Sequence, residues 1–463
     1  MDKIVFDPEL IRRHDRPGPR YTSYPTAVEF SDDFSEADYK RHARETNHDP
    51  IPSPLSLYFH IPFCAHVCFY CGCSKIVTRQ RERALPYLER LKREIEMQAE
   101  LFDRDRGVDQ LHFGGGTPTF LSIDQLRDLI AHIGRHFSLR SDDSGDYSIE
   151  IDPREADGQM IADLRGLGLN RISIGVQDFD PRVQEAVHRE QPIELVQAII
   201  DAAREEKYRS VNFDLIYGLP FQTVQTFRET LDRVIELGPD RIAVFNYAHL
   251  PERFKPQRRI RAEDLPSPAE KIEILQSTIE RLTGAGYRFI GMDHFARPHD
   301  ELARAQRQNR LHRNFQGYTE RPECTLVGMG MTAIGDLGTA YAQNARTLDA
   351  YVAAIDQGRL PIERGVALNR DDLVRRRVIM DLICNLRTDL TDVCDCFAIE
   401  NADYFTAALE RLGEFAADDM VRIDGKVVQV LDRGRLLVRN ICGAFDRYRG
   451  ESTPQPNRFS RVI

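Results

Sequence analysis

The sequence predicts an α/β protein in which strand–helix units repeat around a parallel sheet. An irregular segment precedes the sheet, and a mainly α-helical domain with a small hairpin follows it. Three observations carry this. Short apolar runs alternate with amphipathic helical stretches from residue 55 to about residue 290. Polar residues and glycines gather at the carboxyl ends of the runs, where parallel α/β folds place their sites. After about residue 365 the alternation stops and longer polar helical stretches take over. With 463 residues the chain is long for one core. The expected divisions are 1–50, 51–365 and 366–463.

Residues 1–50 lack any period. RPGPRYTSYPTA carries Pro17, Pro19 and Pro25 with Tyr21 and Tyr24. Such composition suits a tether, or a segment folded over a site with Arg20, Tyr21 and Tyr24 facing it. LSLYF (Leu55–Phe59) is the first strand. ALPYLERLKREIEMQAELF then sets Leu88, Leu91 and Ile95 on one helical face. QLHF (Gln110–Phe113) is a strand ending in a glycine turn. SIEI (Ser148–Ile151), RISIG (Arg171–Gly175), VNFDLI (Val211–Ile216), RIAVF (Arg241–Phe245) and YRFIGM (Tyr287–Met292) continue the series. Helical stretches such as PIELVQAIIDAAREE and AEKIEILQSTIERLTGAG lie between them. The repeat predicts either a barrel or an open doubly wound sheet. VRIDGKVVQV reads as a hairpin with Asp424-Gly425 at its turn. With the following GRLLVRNICGAF it suggests a winged-helix-like unit. DNA binding is not expected there, because no basic recognition helix stands out.

Composition excludes several classes. Hydrophobic residues are 41% and charged residues 29% of the chain, a globular balance. The net charge of −10 argues against nucleic acid as the main partner. The longest nearly apolar run, Leu326 to Tyr341, is rich in glycine and broken by Asp336, so no membrane span is expected. MDKIVFDPELIRRHD lacks the apolar stretch of a signal peptide, and a cytoplasmic protein without disulfides is expected. Of nine cysteines, Cys64, Cys68, Cys71 and Cys73 share one window; Cys324, Cys384, Cys394, Cys396 and Cys442 are scattered.

CAHVCFYCGC reads CxxxCxxCxC. Zinc sites usually assemble paired short spacings from two separated loops, and no second pair follows at that distance. Three close thiolates on one loop suit three corners of an iron–sulfur cubane, whose fourth iron stays open to another ligand. A plain electron carrier would close the cluster with a fourth cysteine. His60 lies beside the loop and reads as an orienting residue rather than a ligand.

CxxxCxxC after a strand at the start of a βα series resembles the cluster motif of radical S-adenosylmethionine enzymes. GGGTPTFL (Gly114–Leu121) resembles the glycine turn that those folds set against the methionine amino group. GPRYTSYPTA, YFHIPFCAHVCFYCGCSKIVTR, LHFGGGTPTFL, SIEIDPRE, RISIGVQDF, VNFDLIYGLP, FNYAHLP, GMDHFARP, LHRNFQGYT and RFSRVI extend the resemblance over nearly the whole chain. Together they are similar to the oxygen-independent coproporphyrinogen III oxidase family. The resemblance implies a partial (β/α)6-type parallel barrel of the radical SAM kind, with the N-terminal segment folding over the active site. It implies one [4Fe-4S] cluster on Cys64, Cys68 and Cys71. It also implies two molecules of S-adenosylmethionine per site, lined by Tyr58, Tyr70, Gly115, Gly116, Thr117, Glu150, Gln177, Arg189, Asp214, Ala248 and Ile334. Family members often carry phenylalanine at the position of Tyr70. Cys73, Glu150, Phe315 and Gln316 match positions with catalytic roles. Taken without the resemblance, Glu150 could be a polar strand end, Asp214 a satisfied interior carboxylate and Arg189 a surface charge.

The implied activity converts coproporphyrinogen III to protoporphyrinogen IX in haem biosynthesis. A 5′-deoxyadenosyl radical takes a β-hydrogen from a propionate; one electron then leaves to an acceptor and carbon dioxide departs, giving a vinyl group on rings A and B in turn. A flavodoxin- or ferredoxin-type donor would supply electrons, the acceptor is undefined, and a monomer is expected. The alternative is a haem chaperone of the same superfamily without oxidase activity. It resembles this chain less, since it lacks a cysteine at the Cys73 position, lacks the GPRYTSYPT segment and differs at HRNFQGYT. The substrate's carboxylates call for cations, and Arg20 and Arg313 are the candidates.

Overall fold

The computed structural model describes residues 4–449, so the terminal RFSRVI string lies outside the described residues. These residues divide into two units. The larger comprises Phe30–Ala285 and Glu323–Ala367, and the smaller comprises 4–29, 286–322 and 368–449.

In the larger unit β1 (Leu55–Ile61), β2 (Gly107–Gly115), β3 (Asp146–Ile151), β4 (Arg171–Gln177), β5 (Ser210–Tyr217) and β6 (Arg241–Asn246) form the parallel series. Then come β7 (Thr325–Met329), β8 (Ile334–Asp336), β9 (Ala340–Asn344) and β10 (Ile362–Ala367). The spatial order is β6-β5-β4-β3-β2-β1-β7-β8-β9-β10. β1 to β6 therefore succeed one another in chain order. Right-handed crossovers that always step the same way leave their helices on one face, which is barrel winding; a doubly wound sheet needs a reversal. β7 runs parallel to β1, and β8 to β10 continue antiparallel, so these strands extend the sheet past β1. The sequence pattern predicts no strand over residues 326–341, yet β7 and β9 are buried throughout. No helix among the described residues is long and apolar enough to cross a membrane.

The crossover helices include α1 (Leu85–Ala99), α2 (Ile123–His136), α3 (Gly158–Gly166), α4 (Ile193–Glu205), α5 (Val224–Leu237) and α6 (Pro268–Gly284). Their starts are written in the sequence. Ser122 with Gln125, Thr223 with Thr226 and Ser267 with Glu270 form reciprocal capping boxes that satisfy the first free N–H groups. Leu126, Leu129 and Ile133 of α2 recur at helical spacing and are buried, as are Leu88, Leu91 and Ile95 of α1.

The smaller unit departs from the sequence expectation at one strand and at its boundary. Arg288–Gly291, read as a further strand of the series, instead pairs antiparallel with His294–Ala296, and both belong to this unit. The division expected at 365 therefore does not contain it. The polar stretch after 365 is one long helix, Arg370–Asn385, whose Val374, Val378, Ile379, Leu382 and Ile383 are buried, followed by short helices. The hairpin Val421–Asp424 and Val427–Val430 is present, with Gly425 at φ +59° and Lys426 between the strands. Arg387–Asp389 makes a third strand, a winged-helix-like arrangement.

The N-terminal segment is not a tether. Leu10, Ile11, Tyr21 and Tyr24 are buried. Tyr21 Oη donates to Asp446 (3.0 Å), Tyr24 Oη accepts from the Arg447 N–H (3.0 Å), and Arg439 donates to the carbonyls of Gly18 and Pro19. The two tyrosine rings expected to face a site are spent on the core of this unit. Arg20 is ion-paired with Asp293.

Glu94 on α1 is a fully buried carboxyl in the larger unit. It accepts hydrogen bonds from the Gly330 N–H (2.8 Å), Asn344 Nδ2 (2.6 Å) and Tyr351 Oη (2.7 Å). Tyr87, two turns earlier, donates to the His60 carbonyl (2.8 Å) and accepts from the Met331 N–H (3.0 Å). Together they fasten the turn after β7 to the end of β1. Burial outweighs the three donors and pushes Glu94 up to about 7 from 4.5. The folded state thus holds this proton more tightly than the unfolded chain. Its contribution to stability is complete below 4.5 and is lost as pH rises toward 7, by roughly 3 kcal/mol at most. The stability of wild type relative to Glu94→Gln, read by denaturant unfolding, should fall between pH 5 and pH 8. A difference independent of pH would mean that the three donors keep Glu94 ionised throughout.

Candidate active site

Period-two alternation aims one set of side chains to one face of the sheet. In β3, Tyr147, Ile149 and Ile151 are buried, so Ser148 and Glu150 point the other way. The same rule applied to β1, β2, β4 and β5 adds Tyr58 and His60, His112, Ser173 and Gln177, and Asp214. Register then makes them neighbours: Tyr58 opposes His112, His112 opposes Ser148, Glu150 opposes Ser173 and Gly175 opposes Asp214.

Contacts along this face confirm the arithmetic. Tyr58 stacks on His112 with ring centroids 5.7 Å apart. His112 Nδ1 meets Ser148 Oγ (2.6 Å), and His112 Nε2 lies 3.5 Å from Glu150. Ser173 Oγ and Asn212 Nδ2 each donate to Asp214 at 2.8 Å. Burial raises both carboxyls, but at Glu150 the hydrogen bond and charge of His112 and the Gly115 N–H (3.0 Å) prevail and hold it below the ordinary glutamate value. Burial, followed by the smaller pull of its donors and the push of Glu150, brings Asp214 up to about 6. His60 has both ring nitrogens engaged, with Tyr58 Oη (3.2 Å) and the Ser74 carbonyl (3.1 Å).

The cysteine loop leaves β1 and returns in a short parallel pairing of Phe63–Cys64 with Ile76–Val77. Each sulfur of the CxxxCxxC triplet meets a donor. Cys64 accepts from Thr117 Oγ1, Cys68 from both Arg154 and Arg189, and Cys71 from the Cys73 N–H, each at 3.4 Å. The Cys73 hydrogen bond and Lys75 lower Cys71 to about 5, while burial pushes Cys64 up to about 11. Cys73 itself is exposed. Sulfurs that accept hydrogen bonds beside three cations form a donor set suited to an anionic thiolate cluster.

The glycine run beside it is close-packed for a reason. A Cβ on Gly115 (φ +118°) would stand 2.6 Å from the His60 ring. One on Gly116 would stand 2.8 Å from the backbone of Pro62 and Phe63. The Gly116 and Thr117 N–H groups donate to the Ile61 and Phe63 carbonyls (both 2.8 Å). Without side chains the turn lies directly on the loop that carries the cysteines.

The radical SAM superfamily profile matches residues 58–234, the span that builds this face and loop. The oxygen-independent coproporphyrinogen III oxidase of Pseudomonas aeruginosa is 54% identical over the full length of both chains. That of Escherichia coli is 49% identical, again with 100% of each chain covered. The chain belongs to the oxygen-independent coproporphyrinogen III oxidase family. A solved structure of the Escherichia coli coproporphyrinogen III oxidase, HemN, described as a radical SAM enzyme, superposes with a TM-score of 0.91 over 96% of this chain and 100% of that one.

Within this oxidase family fold, the expected site residues fall into two groups. Those from Tyr58 to Asp214, with Ala248 and Ile334, all lie in the larger unit. Tyr70 packs on the cluster of Val183, Val187, Leu219, Tyr247 and Ile260. Ile334 opens β8, and its backbone lies within 3 Å of where a Cβ on Gly328 would stand. Phe315 and Gln316 lie in the smaller unit, in the turn of the hairpin His312–Asn314 and Gly317–Thr319. Arg189 is buried rather than a surface charge.

Three residues escaped the sequence reading. Asp152 accepts from Arg189 Nη1 (3.0 Å) and Arg154 Nη2 (2.8 Å), and the two guanidiniums share Cys68. They hold Asp152 well below the usual carboxylate range despite its burial. The DPRE string marked the strand end but not this pairing, which joins residues 37 apart. Gln257, buried, donates to the carbonyls of Tyr70 (2.8 Å) and Ala248 (3.2 Å), and so ties the cysteine loop to the turn after β6.

Proposed function

We propose that the chain oxidises coproporphyrinogen III without oxygen, converting the propionates of rings A and B to vinyl groups and giving protoporphyrinogen IX. Full-length identity of 54% to a named oxidase, together with the intact cysteine loop, carries this reading. The cofactors are one [4Fe-4S] cluster and S-adenosylmethionine, which when bound and reduced supply a 5′-deoxyadenosyl radical able to take hydrogen from an unactivated carbon. Cys64, Cys68 and Cys71 would hold the cluster.

The chain's own residues do the positioning. Glu150 is ionised at neutral pH and presents an acceptor for an ammonium or ribose hydroxyl, with His112 and the Gly115 amide fixing its orientation. Arg189 keeps its Nε without a partner among the described residues, a donor suited to a carboxylate. Asp214 is oriented by Ser173 and Asn212. The face is wide, from β1 to β5, and we assign it two molecules of S-adenosylmethionine, matching two propionates. Cys73, exposed beside Cys71, is placed in turnover rather than cluster binding, as are Phe315 and Gln316.

Electrons would come from a flavodoxin- or ferredoxin-type protein and leave to a separate acceptor, and the enzyme would act as a cytoplasmic monomer. The test is anaerobic incubation of reconstituted protein with coproporphyrinogen III, dithionite and S-adenosylmethionine. Products lighter by two losses of carbon dioxide and four hydrogens are expected, with 5′-deoxyadenosine formed only when porphyrinogen is added. 5′-Deoxyadenosine without any decarboxylated product would assign the chain to another radical reaction.

A further inference from the structure

The hairpin His312–Asn314 and Gly317–Thr319 of the smaller unit holds a buried cation with no acceptor. Arg313 is 4% exposed, yet its Nε and Nη1 have no hydrogen-bond partner among the described residues. Its guanidinium lies 4.7 Å from the centroid of the Tyr318 ring, so an aromatic ring and not a carboxylate faces it. Two more donors on the same hairpin share this condition. Gln316 Nε2 and Tyr318 Oη are buried atoms without a partner.

Two carboxylates of this unit have cationic or hydroxyl partners of their own. Asp293 pairs with Arg20, and Asp446 accepts from Tyr21 Oη (3.0 Å) and the Tyr448 N–H (2.9 Å). A second buried guanidinium, Arg439, is held by the backbone carbonyls of Gly18 and Pro19. Burial first, and then the charge of Arg313, push Arg439 down to about 10. The charges of Arg313 and Arg439 are therefore close enough to oppose each other. An unpaired buried ion opposes folding, and a chain keeps one where a ligand brings the opposite charge.

We propose that Arg313, Gln316 and Tyr318 form a carboxylate subsite that takes one non-reacting propionate of the tetracarboxylate porphyrinogen. This rests on the function proposed above. The chemistry matches in number and shape. A carboxylate offers about four acceptor positions. The hairpin offers Nε and Nη1 of one planar guanidinium, an amide N–H and a phenolic O–H. The Tyr318 ring holds the guanidinium plane. Because the donors are buried, the turn must give way to admit the ligand. Gln316 then acts by holding substrate, which is why its neighbourhood tolerates unsatisfied donors in the free protein.

The test uses the full-length, cluster-loaded protein and measures binding without turnover. Coproporphyrinogen III, with no reductant present, is titrated under anaerobic equilibrium dialysis against wild type and Arg313→Met. The variant should bind it about 10- to 100-fold more weakly, the range for a hydrogen-bonded charged group. Gln316→Ala should weaken it less, by about 5-fold. The tetramethyl ester of the same porphyrinogen should bind wild type and variant alike. Iron content and S-adenosylmethionine binding should be unchanged. Without porphyrinogen, Arg313→Met should melt no lower than wild type, because the cation it removes has no anionic partner among the described residues and methionine still packs on the Tyr318 ring. A lower melting temperature in the free variant would make Arg313 a structural residue and overturn the proposal, as would unaltered porphyrinogen binding. Weakened S-adenosylmethionine binding alone would assign the cation to the cofactor carboxylate and equally overturn it. Wild type that fails to bind coproporphyrinogen III at all would instead overturn the function itself.

Discussion

Cys68→Ala should yield a colourless protein without iron and without measurable oxidase activity. The substitution removes the sulfur on which Arg154 and Arg189 converge, leaving two buried guanidiniums on the single carboxylate of Asp152. Cys64→Ala and Cys71→Ala should behave alike, since each removes one of three thiolates from a loop that has no replacement ligand in its window except Cys73. Cys73→Ala should instead retain iron and sulfide and lose turnover. Iron and sulfide assays on anaerobically reconstituted protein, run beside the product assay, separate the two outcomes. Loss of iron from Cys73→Ala equal to that of the other three would end the division of roles between cluster binding and turnover.

Removing residues 1–28 should abolish folding of the smaller unit. Leu10, Ile11, Tyr21 and Tyr24 are each at most 4% exposed. Deleting large buried side chains costs about 2–5 kcal/mol apiece. Four of them together reach or exceed the roughly 5–15 kcal/mol that holds a whole domain. The truncated protein should be insoluble or rapidly cleaved within residues 368–449, as read by limited proteolysis and mass spectrometry. A soluble truncation that melts with the full-length protein would show that the segment is a removable cover. Point substitution at Arg20, rather than truncation, is therefore the way to ask what the segment does for substrate.

The expected strands from LSLYF to RIAVF are all present because each is a short apolar run, and in SIEI, RISIG and VNFDLI alternation also states which residues are buried. The same alternation carries Tyr58, Glu150, Gln177 and Asp214 to one face, so their grouping could be read residue by residue. YRFIGM has an equally good strand pattern but pairs antiparallel with its neighbour, and nothing within six residues specifies which partner a strand takes. The strands from Thr325 to Asn344 were missed because Gly328, Gly330 and Gly335 dilute the pattern, although close backbone approach at those positions is what the glycines permit. Asp152 meets Arg189, Arg154 meets Cys68 and Gln257 meets Tyr70 across 37, 86 and 187 residues, so local pattern holds no trace of these contacts. Tyr21 and Tyr24 sit in a segment without period, and composition cannot tell an aperiodic strap sunk in a core from one that is loose.

The bonds from Asp7 to Arg433, Gly18 to Arg439 and Tyr21 to Asp446 span 426, 421 and 425 residues. A ribosome adding about 5–20 residues per second makes the first partner of each pair roughly 20–85 seconds before the second. Through most of that interval the segment bearing Tyr21 and Tyr24 is outside the tunnel with its core incomplete, while the larger unit gains its strands and can fold around the cysteine loop. Birth order thus runs opposite to closure: the first residues translated are among the last to be buried. A nascent chain stalled before residue 430 would present an unclaimed aromatic strap to whatever chaperone attends the exit site.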